Sequence, residues 1–543
     1  MSQVGPIEIG AGSHRRTDSV IIRAGPGDQR LVRAKKAGGA TPALVCAGLT
    51  AIAVAVHGYH PFAEDGGIYL TAIKRILHPD LYPRYSDFSV QFARFSLFER
   101  IVATLARIPA TDLMTILFVI YVISIWLTLF ASWKIAKHCF SSRDACYAVV
   151  SLMALCLTLP IAGTSLLLMD PYVTARSIST PCALFALAYL LDAIQPFRRG
   201  YGGACKSLSM CAISLAVAAV VHPLMTAYAL GCVFLLASAA IADLRWRTAA
   251  ISGVCLVAVS AAFALYKLSP QPNADYAQVA LTRTYWFLDN WQWYEVVGLV
   301  APLALIGAIF LSSRSNQRLQ ARALAQMAIA SGFSAALVAI LFARISSASY
   351  AVARLQPLRA FQLIYVVMVV AIGGFLGERV LRQSLWRWSV MFVSVGAIFL
   401  FVQRQTFPHS AHIEFPWSAP VNGWEQGFEW IRDHTPKDAV FALDFNYITS
   451  TGEDSQNFSA IAERIALPDY AKDGGIAAIA PSLTKEWVDG EKAQKNLNTE
   501  SDSERVLQLR STPAEWIVLS HSAKTAFPCV YSNSAMKVCQ VEQ

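Results

Sequence analysis

Residues 112–134 read DLMTILFVIYVISIWLTLFASWK, a run in which the only charged residues stand at the two ends. A helix over this run is long enough to cross about 30 Å of bilayer hydrocarbon. Because no water reaches that depth, the backbone groups must bond to one another, which a helix allows. The whole chain has the same character, with a mean hydropathy of +0.44, 55% hydrophobic residues and 15% charged residues. This composition is far from that of soluble proteins and predicts a polytopic membrane protein.

Apolar runs of this kind divide the chain into three regions. About eleven of them are predicted to span the membrane, over residues 41–59, 112–134, 144–166, 178–195, 207–221, 224–242, 249–268, 293–312, 324–343, 359–377 and 388–403. We therefore expect an all-α transmembrane domain over 41–403. A basic tail over 1–40, expected to be disordered and cytoplasmic, precedes it. A small α/β domain over 408–543 follows it, since helix-like and strand-like segments alternate there.

The positions of Lys and Arg predict the orientation. If the N-terminus is cytoplasmic, the inner loops carry basic clusters such as Lys134, Lys137 and Arg143, whereas the short outer loops carry few basic residues. The positive-inside rule favours this arrangement. An odd number of spans then makes the C-terminal domain extracytoplasmic, and we expect the chain in a bacterial inner membrane. The net charge of +9 reflects this topology and contact with anionic lipid, and no motif indicates nucleic acid.

The long first outer loop, residues 60–111, contains two amphipathic helical patterns, over 68–77 and 98–108. Such helices are expected to lie in the membrane interface with their apolar faces in the acyl boundary. A loop that merely connects two spans does not need them. They indicate a cavity that is walled off at the membrane surface.

An acidic pair opens this loop, where residues 57–69 read HGYHPFAEDGGIY. One carboxylate of Glu64 and Asp65 can accept a proton from an acceptor hydroxyl, while the other orients it or holds a divalent cation such as Mg or Mn. The two glycines that follow allow a ligand to approach closely, and His60 is a further candidate for binding it. The alternative is that the two acids only cap the helix that begins near Ile68.

Two other outer loops carry candidate binding residues. Asp170 and Arg176 lie between the third and fourth predicted spans, and they either line a pocket or form an ion pair that closes the loop. Arg354 and Arg359 lie at the outer edge before the tenth span, against the trend that places positive charge inside. Guanidinium groups bind phosphate or pyrophosphate bidentately. The alternatives are lipid headgroups, ion pairs or snorkelling side chains.

The remaining candidates are weaker. His222, before Pro223, either faces the same outer cavity or is a packing histidine. The aromatic residues Tyr276, Tyr285, Trp286, Trp291 and Trp293 can stack on a sugar face, although an aromatic belt is expected at this depth in any case. In the exported domain, Cys529 and Cys539 flank a turn-like stretch between two strand-like runs. This predicts a disulfide across a hairpin.

The layout and these motifs resemble the GT-C superfamily of membrane glycosyltransferases, which includes protein mannosyltransferases and oligosaccharyltransferase catalytic subunits. Glu64 and Asp65 match the acidic motif that opens the first outer loop of that family, and 68–77 and 98–108 match its amphipathic helices. His222-Pro223 and the segment EWIRDHTPKDAVF at 429–441 are similar to features of its bacterial multi-pass members. The C-terminal domain has no WWD-like motif, which argues against transfer of an oligosaccharide to Asn.

The resemblance implies a donor sugar carried on polyprenyl phosphate or pyrophosphate. We therefore expect an inverting glycosyl transfer to an envelope acceptor at the outer leaflet. In this hypothesis Asp65 is the base or a metal-associated carboxylate, assisted by Glu64. Arg354 and Arg359 hold the lipid phosphate, while Asp170 and Arg176 shape the pocket. The alternative is a non-catalytic membrane protein, such as a transporter or a polysaccharide assembly factor. A transporter should carry charges within its spans, and the predicted spans carry almost none.

Overall fold

The structure is a computed structural model, and it describes residues 40–83, 86–108, 112–194, 200–311, 318–347, 349–450 and 453–541. The predicted basic tail therefore lies outside the described residues, except for its last position. The chain divides into two compact units, residues 1–45 and residues 46–543. Apart from residues 40–45, all the described residues belong to the second unit.

Most of the described residues between 40 and 406 are helical. The helices of this part are α1 (Ala40–His57), α2 (Glu64–Leu77), α3 (Ser86–Val90), α4 (Phe98–Ala106), α5 (Leu113–Cys139), α6 (Arg143–Leu155), α7 (Ala175–Ala193), α8 (Gly200–Val221), α9 (Pro223–Ala239), α10 (Leu244–Leu268), α11 (Ala274–Leu281), α12 (Trp293–Leu311), α13 (Leu319–Phe342), α14 (Ala351–Leu355), α15 (Phe361–Leu376) and α16 (Leu385–Thr406).

Seven of the described helices are long and apolar enough to cross a membrane, and two shorter ones, over Pro42–His57 and Pro223–Ala239, are also apolar. The chain is thus a multi-pass membrane protein, while the count of about eleven spans stays a prediction. The predicted helix over 144–166 is wrong in its second half, because α6 ends at Leu155. Hydropathy alone suggested a continuous span, but Pro160 cannot donate a helical hydrogen bond. It pairs instead with Leu167 in an isolated β-bridge.

The two predicted helices of the first long loop are both present. Helix α2 begins at Glu64, four residues before the predicted start, so that both acids lie in its first turn. Helix α4 packs Phe98 against Tyr69 of α2, with ring centroids 5.5 Å apart. Ile101 and Leu105 on its other side are exposed. This apolar exposed side is the one that is expected to face the acyl boundary.

The C-terminal region, defined here as residues 408–541, contains helices and one mixed sheet. Its elements are α17 (Gly423–His434), β1 (Val440–Leu443), α18 (Phe458–Ala462), β2 (Ile465–Ala466), α19 (Lys472–Ile479), α20 (Thr484–Gln494), α21 (Asp502–Leu509), β3 (Trp516–Ser520), β4 (Cys529–Ser532) and β5 (Met536–Gln540). The strand order is β2-β1-β3-β5-β4. Strand β1 runs parallel to β2 and β3, and β5 runs antiparallel to β3 and β4. A disulfide joins Cys529 to Cys539, which are paired in the register of β4 and β5.

Helix α2 is held along its length by the C-terminal region. Lys74 donates to Ala460 O at 2.8 Å and pairs with Glu463 at 2.7 Å. Just after the helix, the Tyr82 hydroxyl donates to Ser459 O at 2.7 Å. These partly buried contacts fix α2, which begins with the acidic pair, relative to the sheet region.

Candidate functional site

One arginine joins two carboxylates that are far apart in sequence. Arg176 donates from Nε and Nη2 to Asp170 Oδ2, at 3.2 and 2.9 Å. The same Nη2 lies 3.1 Å from Asp65 Oδ2. The ion pair that the sequence suggested within the loop of Asp170 is therefore present. It also extends to the acidic motif, which brings these three predicted site residues together.

Local sequence explains how these side chains are oriented. Arg176 lies in the first turn of α7, where Thr174 and Ser177 form a capping box that fixes the start of the helix. Glu64 adopts a positive φ of 49° at the start of α2. A residue with a Cβ atom is strained in this conformation by about 1–3 kcal/mol, and such strain persists only where the surroundings enforce it. The positive φ of Glu64 lets the side chains of Glu64 and Asp65 bond to different cations.

The two carboxylates that share Arg176 differ in exposure and in pKa. The Asp65 side chain is 36% exposed, whereas those of Asp170 and Arg176 are each 6% exposed. Burial raises the pKa of Asp65, but the positive charges of Arg176, Lys472 and Arg359 outweigh it, so that the pKa lies below its ordinary value. Burial, helped by the charge of Asp65, raises the pKa of Asp170. Such divergence marks acid–base sites, and Asp65 is the accessible and ionised member.

A second cation joins this group from another loop. Arg359 lies within electrostatic range of Asp65, Arg176, Tyr228 and Tyr285. Its Nε atom is buried and has no hydrogen-bond partner among the described residues. A buried donor without a partner is costly unless a ligand satisfies it. Arg359 therefore has a buried N–H donor that can bind an anion.

The cavity beside Arg359 is partly aromatic. It is lined by Tyr285 and Trp286, two of the aromatic residues singled out in the sequence, and by Gln356. The side-chain Oε1 of Gln356 and Nε1 of Trp286 are also buried without partners among the described residues. Gln356 has a positive φ of 55°. Three unpartnered polar atoms and a strained residue in one place are typical of a ligand site.

His222 combines a structural role with a position near the site. Its side chain caps α9, since Nδ1 accepts from the backbone N–H of Met225 at 3.5 Å. Burial and the nearby charges of Arg176 and Arg359 lower its pKa to about 3. His222 is therefore neutral at physiological pH. The packing alternative for this residue is thus present as a cap, while its place in an outer cavity stays a prediction.

Two predicted site residues do not join the group around Asp65. His60 is fully buried, lies 3.1 Å from Glu414 Oε1 through its Nδ1, and stacks on Phe407. It links the first loop to the segment after α16. Arg354 lies beside Tyr276, where burial raises the pKa of the phenol and the positive charge of Arg354 opposes this rise. Neither residue has a described contact with Asp65 or Arg176.

The glycines after the acidic pair lie very close to other parts of the chain. A Cβ atom on Gly66 would lie 3.1 Å from Tyr172 Cβ, and one on Gly67 would lie 2.3 Å from Asn457 Cβ. The close approach is therefore between protein segments. The capping alternative for Glu64 and Asp65 fits their place in the first turn, where the helix dipole favours acids. No side chain caps the helix at Ala63, however.

Sequence reasoning missed Lys472, in the C-terminal region. Its Nζ donates to Glu64 Oε2, and its side chain is 13% exposed. The positive charge of Lys472 also acts on Asp65. The lysine occurs in an ordinary polar stretch, AKDGG, and no local signal in the sequence distinguishes it.

The acidic pair as described does not fit a divalent cation held between its two carboxylates, because Glu64 is bonded to Lys472 and Asp65 to Arg176. Within the described ranges, no group of three or more His, Cys, Asp or Glu side chains is arranged to hold a metal ion. The predicted Mg or Mn ion stays a prediction.

No protein-family profile and no curated protein matches the chain. Among solved structures, it is similar to the oligosaccharyltransferase of Archaeoglobus fulgidus in complex with Zn and sulfate. The identity is 12% and the TM-score 0.45, over 88% of this chain and 68% of that chain. It is also similar to ArnT from Cupriavidus metallidurans in the apo state, at 12% identity and a TM-score of 0.38, over 92% and 97% of the two chains.

A third similar structure is the same ArnT bound to undecaprenyl phosphate, at 12% identity and a TM-score of 0.35, over 96% of this chain and 99% of that chain. Oligosaccharyltransferase and ArnT are both members of the GT-C superfamily, which the sequence resembles. Identities of 12% and TM-scores below 0.5 are too low to carry a reaction or a substrate over to this chain.

Proposed function

We propose that this chain is a membrane glycosyltransferase that moves a sugar from a polyprenyl-phosphate donor to an envelope acceptor at the outer leaflet of a bacterial inner membrane. The observation that carries the proposal is the group formed by Asp65, Arg176 and Asp170 together with Arg359. It combines an accessible, ionised carboxylate with a buried guanidinium that has an unpartnered donor. A reaction between a hydroxyl and a phosphate-linked sugar needs both features.

Asp65 acts as the general base in a single displacement. The acceptor oxygen forms a bond to the anomeric carbon of the sugar while the bond between that carbon and the phosphate oxygen breaks. The electron pair of the broken bond goes to the lipid phosphate, and the hydroxyl proton goes to Asp65. One attack from the face opposite the leaving group inverts the anomeric centre. A bound substrate removes water from Asp65, which raises its pKa towards that of a working base.

Arg359 holds the phosphate of the donor as negative charge develops on it. A guanidinium in a dry cavity stabilises such charge more strongly than one in water. Arg354, which lies five positions earlier and beside Tyr276, supports the lipid phosphate from further away. Tyr285, beside Arg359, is suited to stack on the sugar.

The other residues keep this arrangement in place. Arg176 holds Asp65 at a set distance from the buried Asp170, and Asp170 fixes two nitrogens of Arg176. Glu64 assists as the neighbouring acid, which is bonded to Lys472. His222, being neutral, adds no repulsion to the two arginines near it.

The test is transfer of radiolabelled sugar from a panel of polyprenyl-phosphate sugars by the full chain in nanodiscs. We expect transfer, or slow hydrolysis of the donor, by the wild type and a loss of about 100-fold or more in Asp65→Asn, since general bases contribute 10²–10⁴-fold. The matched control is Asp80→Asn. Asp80 is in the same loop but forms a surface pair with Lys437 at 3.1 Å. A wild-type rate in Asp65→Asn would overturn the assignment. Donor binding without turnover for every sugar and acceptor would favour the non-catalytic alternative.

A further inference from the structure

The C-terminal region contributes a side chain to the acidic pair. Lys472, the first residue of α19, donates from Nζ to Glu64 Oε2 across 408 positions of sequence. The lysine is almost buried while Glu64 is 59% exposed. A nearly buried lysine is costly unless a carboxylate compensates its charge. The pair is therefore a fixed part of the site and differs from a loose surface ion pair.

The backbone around Lys472 is held from a different loop. Arg283 follows α11 and is 5% exposed. It donates from Nη1 to Ala471 O at 2.6 Å and from Nη2 to Tyr470 O at 2.8 Å. Its guanidinium also lies 5.3 Å from the centroid of the Tyr470 ring. Arg283 thus fixes the two residues that directly precede Lys472.

The same turn is closed by its own side chains. Asp469 Oδ1 accepts from the backbone N–H of Lys472 at 2.6 Å, and Asp473 Oδ2 accepts from the N–H of Asp469 at 3.0 Å. The Trp487 indole donates to Asp469 O at 2.8 Å. Because the turn is held on three sides, the side chain of Lys472 is directed towards Glu64.

The chemistry of adjacent carboxylates explains what this lysine does. Without a cation of its own, Glu64 would compete with Asp65 for Arg176, and the two negative charges would repel each other. Lys472 bonds to Glu64, so that only Asp65 of the two adjacent acids bonds to Arg176. It also helps to hold Glu64 in its strained positive-φ conformation, which local sequence does not favour.

We infer that Lys472 is a positioning residue of the active site, fixed by Arg283, and that the C-terminal region completes the site by holding Glu64 away from Asp65. The inference rests on the proposed function for its effect on turnover. Its effect on the local structure of the acidic pair does not depend on that function. The two parts can therefore be tested separately.

The attachment of α2 to the C-terminal region does not depend on this lysine alone. Lys74 and Tyr82 make partly buried contacts further along. Lys472→Ala should therefore leave the C-terminal region docked on α2. The variant tests only how Glu64 and Asp65 are arranged. The matched control is Lys437→Ala, which removes another lysine–carboxylate pair between the same two parts of the chain. Its partner is Asp80, and both side chains are well exposed.

The first experiment measures kcat and donor KM in nanodiscs. We expect Lys472→Ala to lower kcat about tenfold or more with donor KM nearly unchanged, because misplacing a reacting group by about 1 Å can cost about 100-fold. Lys472→Arg should restore most of the rate. In a Glu64→Ala variant, the additional Lys472→Ala substitution should lower kcat only slightly further, because the effects of two contacting residues are coupled. Arg283→Met should reproduce the effect of Lys472→Ala. A kcat like that of Lys437→Ala would overturn the inference.

The second experiment needs no turnover. Hydrogen–deuterium exchange is followed over residues 61–68 in the full chain. We expect faster exchange there in Lys472→Ala than in the wild type, and no change in Lys437→Ala. Unchanged exchange in Lys472→Ala would overturn the inference even if the enzyme is active. If the wild type transfers no sugar but Lys472→Ala speeds exchange, the proposed function fails and the structural role of Lys472 stands.

Discussion

Asp65 and Asp170 share one nitrogen of Arg176, whose Nη2 lies 3.1 Å from Asp65 Oδ2 and 2.9 Å from Asp170 Oδ2. The two acids come from different loops, and the guanidinium sets the distance between them. Asp170 is buried, so that its charge depends on this partner. Asp65 is open on one side and has Lys472 nearby as a second source of positive charge. The arginine therefore matters for stability through Asp170 and for activity through Asp65.

Replacement of Arg176 should destabilise the fold. We expect Arg176→Met to lower the free energy of unfolding by about 3–5 kcal/mol, because removal of one partner leaves a buried charge without compensation. The double variant Arg176→Met/Asp170→Asn should recover most of this loss, since the uncompensated charge is then gone. The measurement is the thermal unfolding midpoint by tryptophan fluorescence in detergent. Equal midpoints for the single and double variants would contradict the role assigned to Asp170.

Replacement of Arg359 should weaken donor binding. We expect Arg359→Gln to raise donor KM by about 10–100-fold, because a hydrogen bond to a charged group contributes about 1.5–3 kcal/mol. Arg354→Gln should have a smaller effect, since that side chain lies beside Tyr276. The matched control is Arg344→Gln, because Arg344 forms a half-exposed pair with Asp289. A KM for Arg359→Gln equal to that of the control would remove Arg359 from the phosphate site.

Much of the fold follows from local patterns in the sequence. The apolar run at 112–134 is seen as Leu113–Cys139. The turn-like stretch between Cys529 and Cys539 connects β4 and β5. Such patterns are local, so that a few neighbouring residues decide them. The helix over 144–166 was mispredicted because average hydropathy ignores a single proline, and Pro160 stands where the span should continue.

The candidate site could be predicted only in part, for a physical reason. The predicted topology places Asp65, Asp170 and Arg359 on one side of the membrane. Their proximity could therefore be predicted. The pairing of Lys472 with Glu64 depends on how a separate folded region docks. The same is true of His60 and Glu414, which are 354 positions apart. Neither pairing leaves a periodic or compositional trace in the sequence.

Loss of the disulfide should destabilise the edge of the sheet. Cys529 and Cys539 are separated by 10 positions, and closing a loop of this size removes about 2–3 kcal/mol of chain entropy from the unfolded state. We expect Cys529→Ser to lower the unfolding midpoint by a corresponding amount. Cys205→Ser is the matched control, because Cys205 is exposed and unpaired. A reducing agent should lower the midpoint of the wild type and leave that of Cys529→Ser unchanged. Equal midpoints for the two serine variants would contradict a stabilising disulfide.

The pair His60–Glu414 should make stability depend on pH. The His60 Nδ1 and Glu414 Oε1 atoms are 3.1 Å apart and almost fully buried. Burial, with the nearby charge of Asp454, raises the pKa of Glu414 to about 8, although a bond from Ser410 opposes this. Burial, with the charge of Arg404, lowers the pKa of His60 to about 4, although Asp454 opposes this. Near neutral pH the pair is therefore a neutral imidazole and a protonated carboxyl.

The two groups act on stability in opposite directions. A carboxyl whose pKa is raised by folding contributes stability that is full below its unfolded value near 4.5 and is lost as the pH rises to about 8. A histidine whose pKa is lowered contributes stability that is gained as the pH rises from about 4 to 6.5 and is complete above that. Between pH 6.5 and 8, only the carboxyl contribution changes. Within that window the unfolding midpoint should fall as the pH rises.

Glu414→Gln should flatten this fall, because the amide does not titrate. Part of the slope should remain, since burial and the charges of Glu414, Glu429 and Asp454 raise the pKa of Glu425 to about 9. The matched control is Glu491→Gln, because the Glu491 carboxylate accepts from Gln278 at 2.7 Å on the exposed surface. The unfolding midpoint of each variant is measured by tryptophan fluorescence at intervals from pH 6.5 to 8. If Glu414→Gln keeps the wild-type slope, the carboxyl of Glu414 is ionised throughout this window, and the buried pair is a charged one.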